Sequence, residues 1–475
     1  MKGKLVIVLD CGATNVRAVA VHSDGSIGAI RALPNATRPD PEYPSGLIWD
    51  VNEIWEKFCT CIRTIGKDID TKQVKAVIVT TFGVNGAPAD KDGNLLYPVI
   101  SWQCQRTVPI MDTIDRYIPL SRLYEISGVN KFSFNTINSL LWLKENRPEV
   151  LDRMEGFLFM PSLFIHKMTG RLMNDVTMCG TSMMTDLKTR DFSDEILSGT
   201  GLPNRFFQLV ETGTPVGELR DEAGREMGLP AGIKVVAGGH DTQLALIGSG
   251  AGIDEPVLSS GTWEILMART HHAGVSEESF RAGFTNELDS LPGLFNTGAQ
   301  WLASGILEWI KNMFYSKETE LSPGDVYRIM VDEAMKVDPC NEKPVFGTDF
   351  MAGSGYISGI GLKTSRQQIY RAALEALADK MQTILNKLQH TGKFKAQSLI
   401  IVGGGSKNRL WNQLRADRLG IPVKIAGQNE TTVLGAALFA HVAIGSYNSI
   451  EESISSVCRN YEVTKPENKN SSQKK

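Results

Sequence analysis

The apolar run Leu5 to Leu9, closed by Asp10, reads as a buried strand, and the small polar stretch Asp10-Cys11-Gly12-Ala13-Thr14-Asn15 reads as the turn after it. A second strand over Arg17 to Val21 follows, then the turn Ser23-Asp24-Gly25 and a third strand over Ser26 to Ala32. The gaps are too short for crossover helices, so the three strands form an antiparallel meander, which excludes an opening βαβ unit of the dinucleotide-binding type. Asp50 stands where a helix N-cap belongs, with Glu53 three residues on and apolar side chains at Val51, Ile54, Trp55, Phe58, Ile62 and Ile65 on one face. Lys75 to Thr80 is a buried-strand pattern that runs into Thr81-Phe82-Gly83-Val84-Asn85-Gly86. Tyr117 to Gly170 reads as mostly helical, most clearly from Asn138 to Glu145.

The second half starts the pattern again. Val235 to Ala237 is a short strand ending in Gly238-Gly239-His240-Asp241, and Pro256 to Ala268 repeats strand, glycine turn and strand, with Leu258-Ser259 in the place of Leu9-Asp10. Ser398 to Val402 is a strand, Gly403-Gly404-Gly405-Ser406 a turn, and Asn408 to Leu419 a helix. Two copies of one unit half a chain apart predict duplicated α/β domains with an interdomain cleft. The boundaries expected are 1–248 and 249–460, with 461–475 as a disordered tail in which Lys465 to Lys475 is polar and charged.

Composition narrows the class. The 475 residues, 42% hydrophobic, suit two or three globular domains at about 150 residues each. Fifty basic against 53 acidic residues give a net charge of −3, which argues against a broad nucleic-acid or acidic-membrane surface. No stretch reaches the roughly 18 apolar residues of a membrane span. Seven scattered cysteines without a C-x-x-C pair fit reduced thiols in a cytoplasmic protein. The sequence leaves a homodimer open. It carries no P-loop, no G-x-G-x-x-G, no G-x-S-x-G and no H-E-x-x-H. Phosphate binding, if present, needs another device.

Three glycine turns offer one. In Gly12-Ala13-Thr14-Asn15, small residues let backbone N–H groups approach an anion while Thr14 and Asn15 add side-chain donors; Gly261-Thr262 offers the same in the second half. Gly403-Gly404-Gly405 precedes a helix whose N-terminus could face a nucleotide. Each turn alone also reads as ordinary chain reversal; the argument lies in finding three at strand ends. Asp10 at a strand end suits a hydrated Mg²⁺. Asp241, between a strand and a helix, is either a helix N-cap or a carboxylate base that takes a proton from a sugar hydroxyl. Gly83 and Asn85 end a strand where a polyol could lie against glycine and hydrogen-bond an amide.

Taken together, Val8 to Ala18, Thr80 to Val84, Ala237 to Thr242, Pro256 to Met267, Gln300 to Gly305 and Val402 to Asn412 resemble the FGGY carbohydrate kinases, over about residues 4 to 460. The resemblance implies two actin-like (ribonuclease H-like) ATPase domains. It implies ATP- and Mg²⁺-dependent transfer of phosphate to the 1-hydroxyl of L-fuculose, with L-rhamnulose or D-ribulose as other ketose acceptors. It makes Asp241 the catalytic base and Asp10 the carboxylate near Mg²⁺. Gly12, Ala13, Thr14, Asn15, Gly261, Thr262, Gln300, Gly404, Gly405 and Asn408 become the ATP site, and Gly83, Asn85, His240 and Thr242 the sugar pocket. Aspartate is expected at position 85 in the members that take L-fuculose; this chain has Asn85. Domain closure is expected to accompany turnover, and a non-catalytic regulator on the same fold is the contrasting class, which a damaged phosphate turn or a missing base would mark.

Overall fold

A computed structural model describes residues 3–318, 321–338, 344–350, 353–427 and 430–467. It divides into two compact units, and neither is a continuous stretch. The first comprises 1–250, 271–296 and 430–458; the second comprises 251–270, 297–429 and 459–475. The first unit breaks at 250, and two later segments, 271–296 and 430–458, return to it, so the units are not the two continuous stretches expected. The expected tail also needs correction: Tyr461–Thr464 is a strand, paired antiparallel with Val423–Ala426. The rest of that tail from 468 onward lies outside the described residues.

The first unit is organised by a six-stranded sheet. Strand β1 (Leu5–Cys11) pairs antiparallel with β2 (Asn15–His22), which pairs antiparallel with β3 (Ile27–Pro34), as the short turns require. On its other side β1 runs parallel to β4 (Val74–Thr81), and β4 runs parallel to β5 (Lys234–His240). Alternation along the strands sorts their side chains between two cores. Leu5, Ile7 and Leu9 join Val77, Val79 and Val235 under helix α1 (Val51–Ile65). Val6 and Val8 join Ile78 and Val236 under α2 (Asp241–Ser249) and α3 (Thr431–Ala443).

Asp50 caps α1 as expected, accepting from the N–H groups of Asn52 and Glu53, each at 3.0 Å. Glu53 does not complete a capping box, because Arg38 and Lys57 hold its carboxylate. Helix α3 explains why the 430–458 segment belongs here: it is apolar on nearly every face and packs on α2 glycine to glycine. A Cβ on Gly248 would run into the Thr431 carbonyl, and one on Gly435 into the Leu244 carbonyl. The middle of the chain is mostly helical as expected, with Leu120–Ser127, Thr136–Asn146, Pro148–Asp152 and Met160–Thr169, interrupted by the strand Gly156–Phe159.

The second unit repeats the plan. Strand β6 (Val257–Ser260) pairs antiparallel with β7 (Trp263–Thr270) and parallel with β8 (Leu399–Val402). β6 thus has the same kind of neighbours as β1, which is the duplication visible in the sequence. Helix α4 (Arg409–Leu419) follows β8 and the triple-glycine turn. Among the described residues no helix is long and apolar enough to cross a membrane, and Cys11, Cys59, Cys61, Cys104 and Cys179 are buried free thiols.

Candidate active site

Register places the first group of candidates at one edge of the first sheet. Asp10 lies beside Thr80 across the parallel β1–β4 pair, and Gly239 lies beside Thr80 across β4–β5. Asp10, Thr80, Gly239 and His240 therefore share the C-terminal ends of three parallel strands. Asp10 is also the cross-strand partner of Arg17, and the guanidinium grips its Oδ2 through Nε at 3.0 Å and through Nη2. Nη1 of Arg17 donates to Glu430 at 2.6 Å, the residue that precedes α3. Burial pushes the Asp10 carboxyl up to about 6; Arg17 opposes this, while Asp241 and Glu430 add to it.

The Gly12 to Asn15 turn is closed by the Gly12 N–H donating to the Asn15 carbonyl at 2.8 Å. Asn35 braces it by donating from Nδ2 to the Gly12 carbonyl at 2.9 Å. Thr14 and Asn15 remain exposed, and Gly12 and Ala13 half-buried, so the turn presents its donors outward.

Asp241 owes its place to two glycines. A Cβ on Gly238 would strike the Val79 carbonyl, and Gly239, at φ +123°, would strike Asp175 and Thr177. The chain then enters α2 with His240 at the N-cap position and Asp241 as the first helical residue, so Asp241 is not itself the N-cap. Its side chain keeps 30% of its surface accessible, enough for a substrate hydroxyl to reach it. Oδ1 accepts from Thr242 Oγ1 at 3.2 Å and lies 3.4 Å from His240 Nε2. Desolvation raises the Asp241 carboxyl, and the His240 charge and the Thr242 N–H and hydroxyl oppose that rise. Behind the site, Asp175 is buried and pushed up to about 6 by desolvation; Thr177 and Thr212 donate to it, the Thr212 hydroxyl at 2.9 Å.

Gly83 packs against this histidine: a Cβ there would lie 2.9 Å from His240 Nε2. Asn85 is buried, and its Oδ1 accepts from the Trp49 indole at 2.9 Å and from the Trp102 backbone N–H at 3.1 Å. Between them Val84 has φ 64°, an unusual conformation for a β-branched residue. It is held by its N–H donating to Thr181 and by Thr136 donating to its carbonyl, at 3.0 and 2.6 Å. The indole N–H of Trp102 is buried and has no hydrogen-bond partner among the described residues. Asp10, Gly83, Asn85, His240, Asp241 and Thr242 thus all belong to the first unit, with Gly12 to Asn15.

The remaining candidates belong to the second unit. The Gly261-Thr262 turn is fixed by Ala303 N–H donating to the Thr262 carbonyl at 3.0 Å and by Ser304 N–H donating to the Gly261 carbonyl at 3.3 Å. Thr262 and Gln300 are exposed. Gly403, at φ +88°, and Gly405 both lie against Ser260, where a side chain would collide; Gly404 is exposed with open space around it. Asn408 is the N-cap of α4, its Oδ1 accepting from Trp411 N–H at 3.1 Å and its Nδ2 donating to Tyr370 at 3.0 Å. Both ends of its amide are engaged, so Asn408 supports the turn.

Sequence reasoning missed Arg17, Glu430, Asp175, Trp102 and Glu287, which meets His240 Nδ1 at 3.4 Å. Arg17 carried a signal, since the hairpin register sets it opposite Asp10. The others reach the site from distant segments and carried none.

Two family domains account for most of the chain: the FGGY family of carbohydrate kinases, N-terminal domain, matches residues 5–248, and its C-terminal domain matches 257–444. An L-fuculokinase from Escherichia coli (strain K12) is 47% identical over 470 residues, 98% of each chain. An L-fuculokinase from Haemophilus influenzae is 40% identical, over 94% of this chain and 96% of its own. The crystal structure of a xylulose kinase from Rhodospirillum rubrum superimposes with a TM-score of 0.88 at 18% identity, covering 98% of this chain and 94% of that one, which shows the same fold.

Proposed function

Since the chain belongs to the FGGY family of carbohydrate kinases, we propose that it transfers the γ-phosphoryl group of ATP to the 1-hydroxyl of L-fuculose, giving L-fuculose 1-phosphate and ADP. The observation that carries the reaction is the Asp241 carboxylate, reachable from solvent and held at the start of α2 by a glycine pair that admits no side chain. The near-full-length likeness to named L-fuculokinases supports the acceptor.

In this reading the acceptor hydroxyl donates its proton to Asp241 as its oxygen bonds to the γ-phosphorus and the bond to the ADP oxygen breaks. Catalysis is then mainly positioning and charge stabilisation, with Thr14, Asn15 and the Gly261-Thr262 turn donating to phosphate oxygens and the Gly404-Gly405 turn taking the adenosine side. Gln300 is assigned to the nucleotide. Gly83, Asn85, His240 and Thr242 line the sugar site, with the unpartnered Trp102 indole N–H as a further donor to a hydroxyl. The donor set fits Mg²⁺: Asp10 is a buried carboxylate whose charge is disfavoured by burial and by Asp241 and Glu430 and countered by Arg17. Asp10 would hold the hydrated ion, which supplies positive charge to the ATP phosphates. Free thiols support a cytoplasmic setting.

The test is ADP release with Mg-ATP across L-fuculose, L-rhamnulose, D-ribulose, L-ribulose and D-xylulose. Preference for L-fuculose is expected; preference for another ketose would overturn the acceptor and leave the kinase reading intact. Absence of any ketose-dependent ADP release from folded, ATP-binding protein would overturn both.

A pH prediction follows from the raised carboxyls. The acid limb of kcat/KM is expected above the value near 4 of an ordinary aspartate, because desolvation raises Asp241. Stability should move the other way over the same window. Asp175 goes from 3.8 when unfolded to about 6 when folded, so the native state binds the extra proton and gains stability as pH falls from above 6 toward 4. Activity lost as pH falls, on a limb above that of an ordinary aspartate, with an unchanged or higher thermal midpoint from pH 6 toward 4 is expected; a parallel fall of both would contradict it.

A further inference from the structure

The His240 ring lies between two carboxylates, with Nε2 3.4 Å from Asp241 Oδ1 and Nδ1 3.4 Å from Glu287 Oε2. Glu287 comes from Thr285–Leu288, in a segment that returns to the first unit. It is itself held: Gln243 Nε2, on α2 two residues beyond Asp241, donates to the same Oε2 at 2.7 Å, and Asn296 Nδ2 donates to Gln243 Oε1. Gly83 closes one side of the ring, and the backbone N–H of His240 donates to the Thr177 hydroxyl at 2.9 Å. The ring is thus walled by Gly83 and flanked by the two carboxylates, and among the described residues its buried Nδ1 makes no hydrogen bond and has the Glu287 carboxylate 3.4 Å away as its ionic partner.

We propose that Glu287 is a positioning residue for phosphoryl transfer, clamping His240 so that its Nε2 faces the Asp241 carboxylate. The proposal rests on the reading of Asp241 as the base. The Asp241 and Glu287 carboxylates beside the two ring nitrogens favour the imidazolium, the Asp175 charge adds to them, and together they outweigh the burial that disfavours it. The imidazolium in turn opposes the effect of burial on Asp241, and its influence there exceeds the direct repulsion from Glu287. Through His240, Glu287 thus favours the ionised base although it carries the same charge.

The test is the pH profile of kcat/KM for Glu287→Gln, which keeps the shape and removes the charge. Loss of the clamp lets His240 become neutral, so the acid limb is expected to rise by about one pH unit, a loss of about tenfold on that limb. The KM for ATP is expected to stay unchanged. In a His240→Asn background the same substitution should cause no upward shift, because the group that transmits the effect is gone. An unmoved acid limb, or an equal upward shift in the His240→Asn background, would overturn the clamp. Should Glu287→Gln fail to fold, NMR titration of the His240 imidazole in the unaltered protein decides: a midpoint above the ordinary histidine value of 6.5 is expected, and a midpoint at or below it would overturn the proposal. If Asp241→Asn turns over normally, the base reading itself has failed; if only the Glu287 results fail, the clamp alone is lost.

Discussion

Replacing Asp241 with asparagine is expected to lower kcat by about 10²–10⁴-fold, the range for loss of a general base, with ATP still bound. Asparagine keeps the size of the side chain and an oxygen that can accept from Thr242, which now donates to Oδ1 at 3.2 Å. What it cannot do is take the proton of the attacking hydroxyl. The backbone has no reason to move, because the position is set by Gly238 and Gly239 against Val79, Asp175 and Thr177. The ATP turns assigned above involve none of these contacts. Ketose-dependent ADP release gives kcat, and calorimetric titration with nucleotide gives the binding arm. Near-normal turnover in the variant would remove Asp241 from the role of base, and loss of ATP affinity would show a structural effect instead.

The second large effect is expected within the second unit. Arg415 and Glu264 are fully buried and ion-paired, and Ser260 joins them by donating to Glu264 at 2.9 Å and accepting from Arg415 Nη2 at 3.1 Å. Arg415 also lies over the Trp411 ring at 3.6 Å and donates to Asn412 at 3.2 Å. Arg415→Met fills much of the volume but leaves a buried carboxylate without its counter-charge, which costs about 3–5 kcal/mol. Chemical denaturation should show that loss, and the Arg415→Met, Glu264→Leu double variant should recover most of it, because neither charge is then stranded. Equal destabilisation in both would mean that packing, not charge, is at stake. Weaker nucleotide binding is also expected in the single variant, since Ser260 is the residue against which Gly403 and Gly405 fold.

Local pattern made much of this legible. The meander, the Asp50 cap, the duplicated strand–turn–strand unit and the helix after the triple glycine follow from short-range rules of periodicity, capping and turn chemistry, and the structure has them within a few residues. The Asp241 N-cap alternative was off by one position, a difference that a helix start does not encode sharply. Asn408 read as part of the adenosine turn, yet its amide is consumed by the α4 N-terminus and Tyr370. The short strand Tyr461–Thr464 was lost next to a polar tail because pairing with Val423–Ala426, not its own composition, makes it a strand.

The sequence by itself determined the repeated unit, the glycine turns and the identity of the acid at the start of α2, because each depends on neighbours within a few residues. Only the tertiary structure decided that Arg17 and Glu430 flank Asp10, that Asp175 underlies His240, and that Glu287 braces it. It also decided that 271–296 and 430–458 return to the first unit. Those contacts join residues far apart in the chain. The Glu430 contact forms because α3 buries an apolar surface against the first sheet and α2, and such burial leaves no local mark on the residues it brings together.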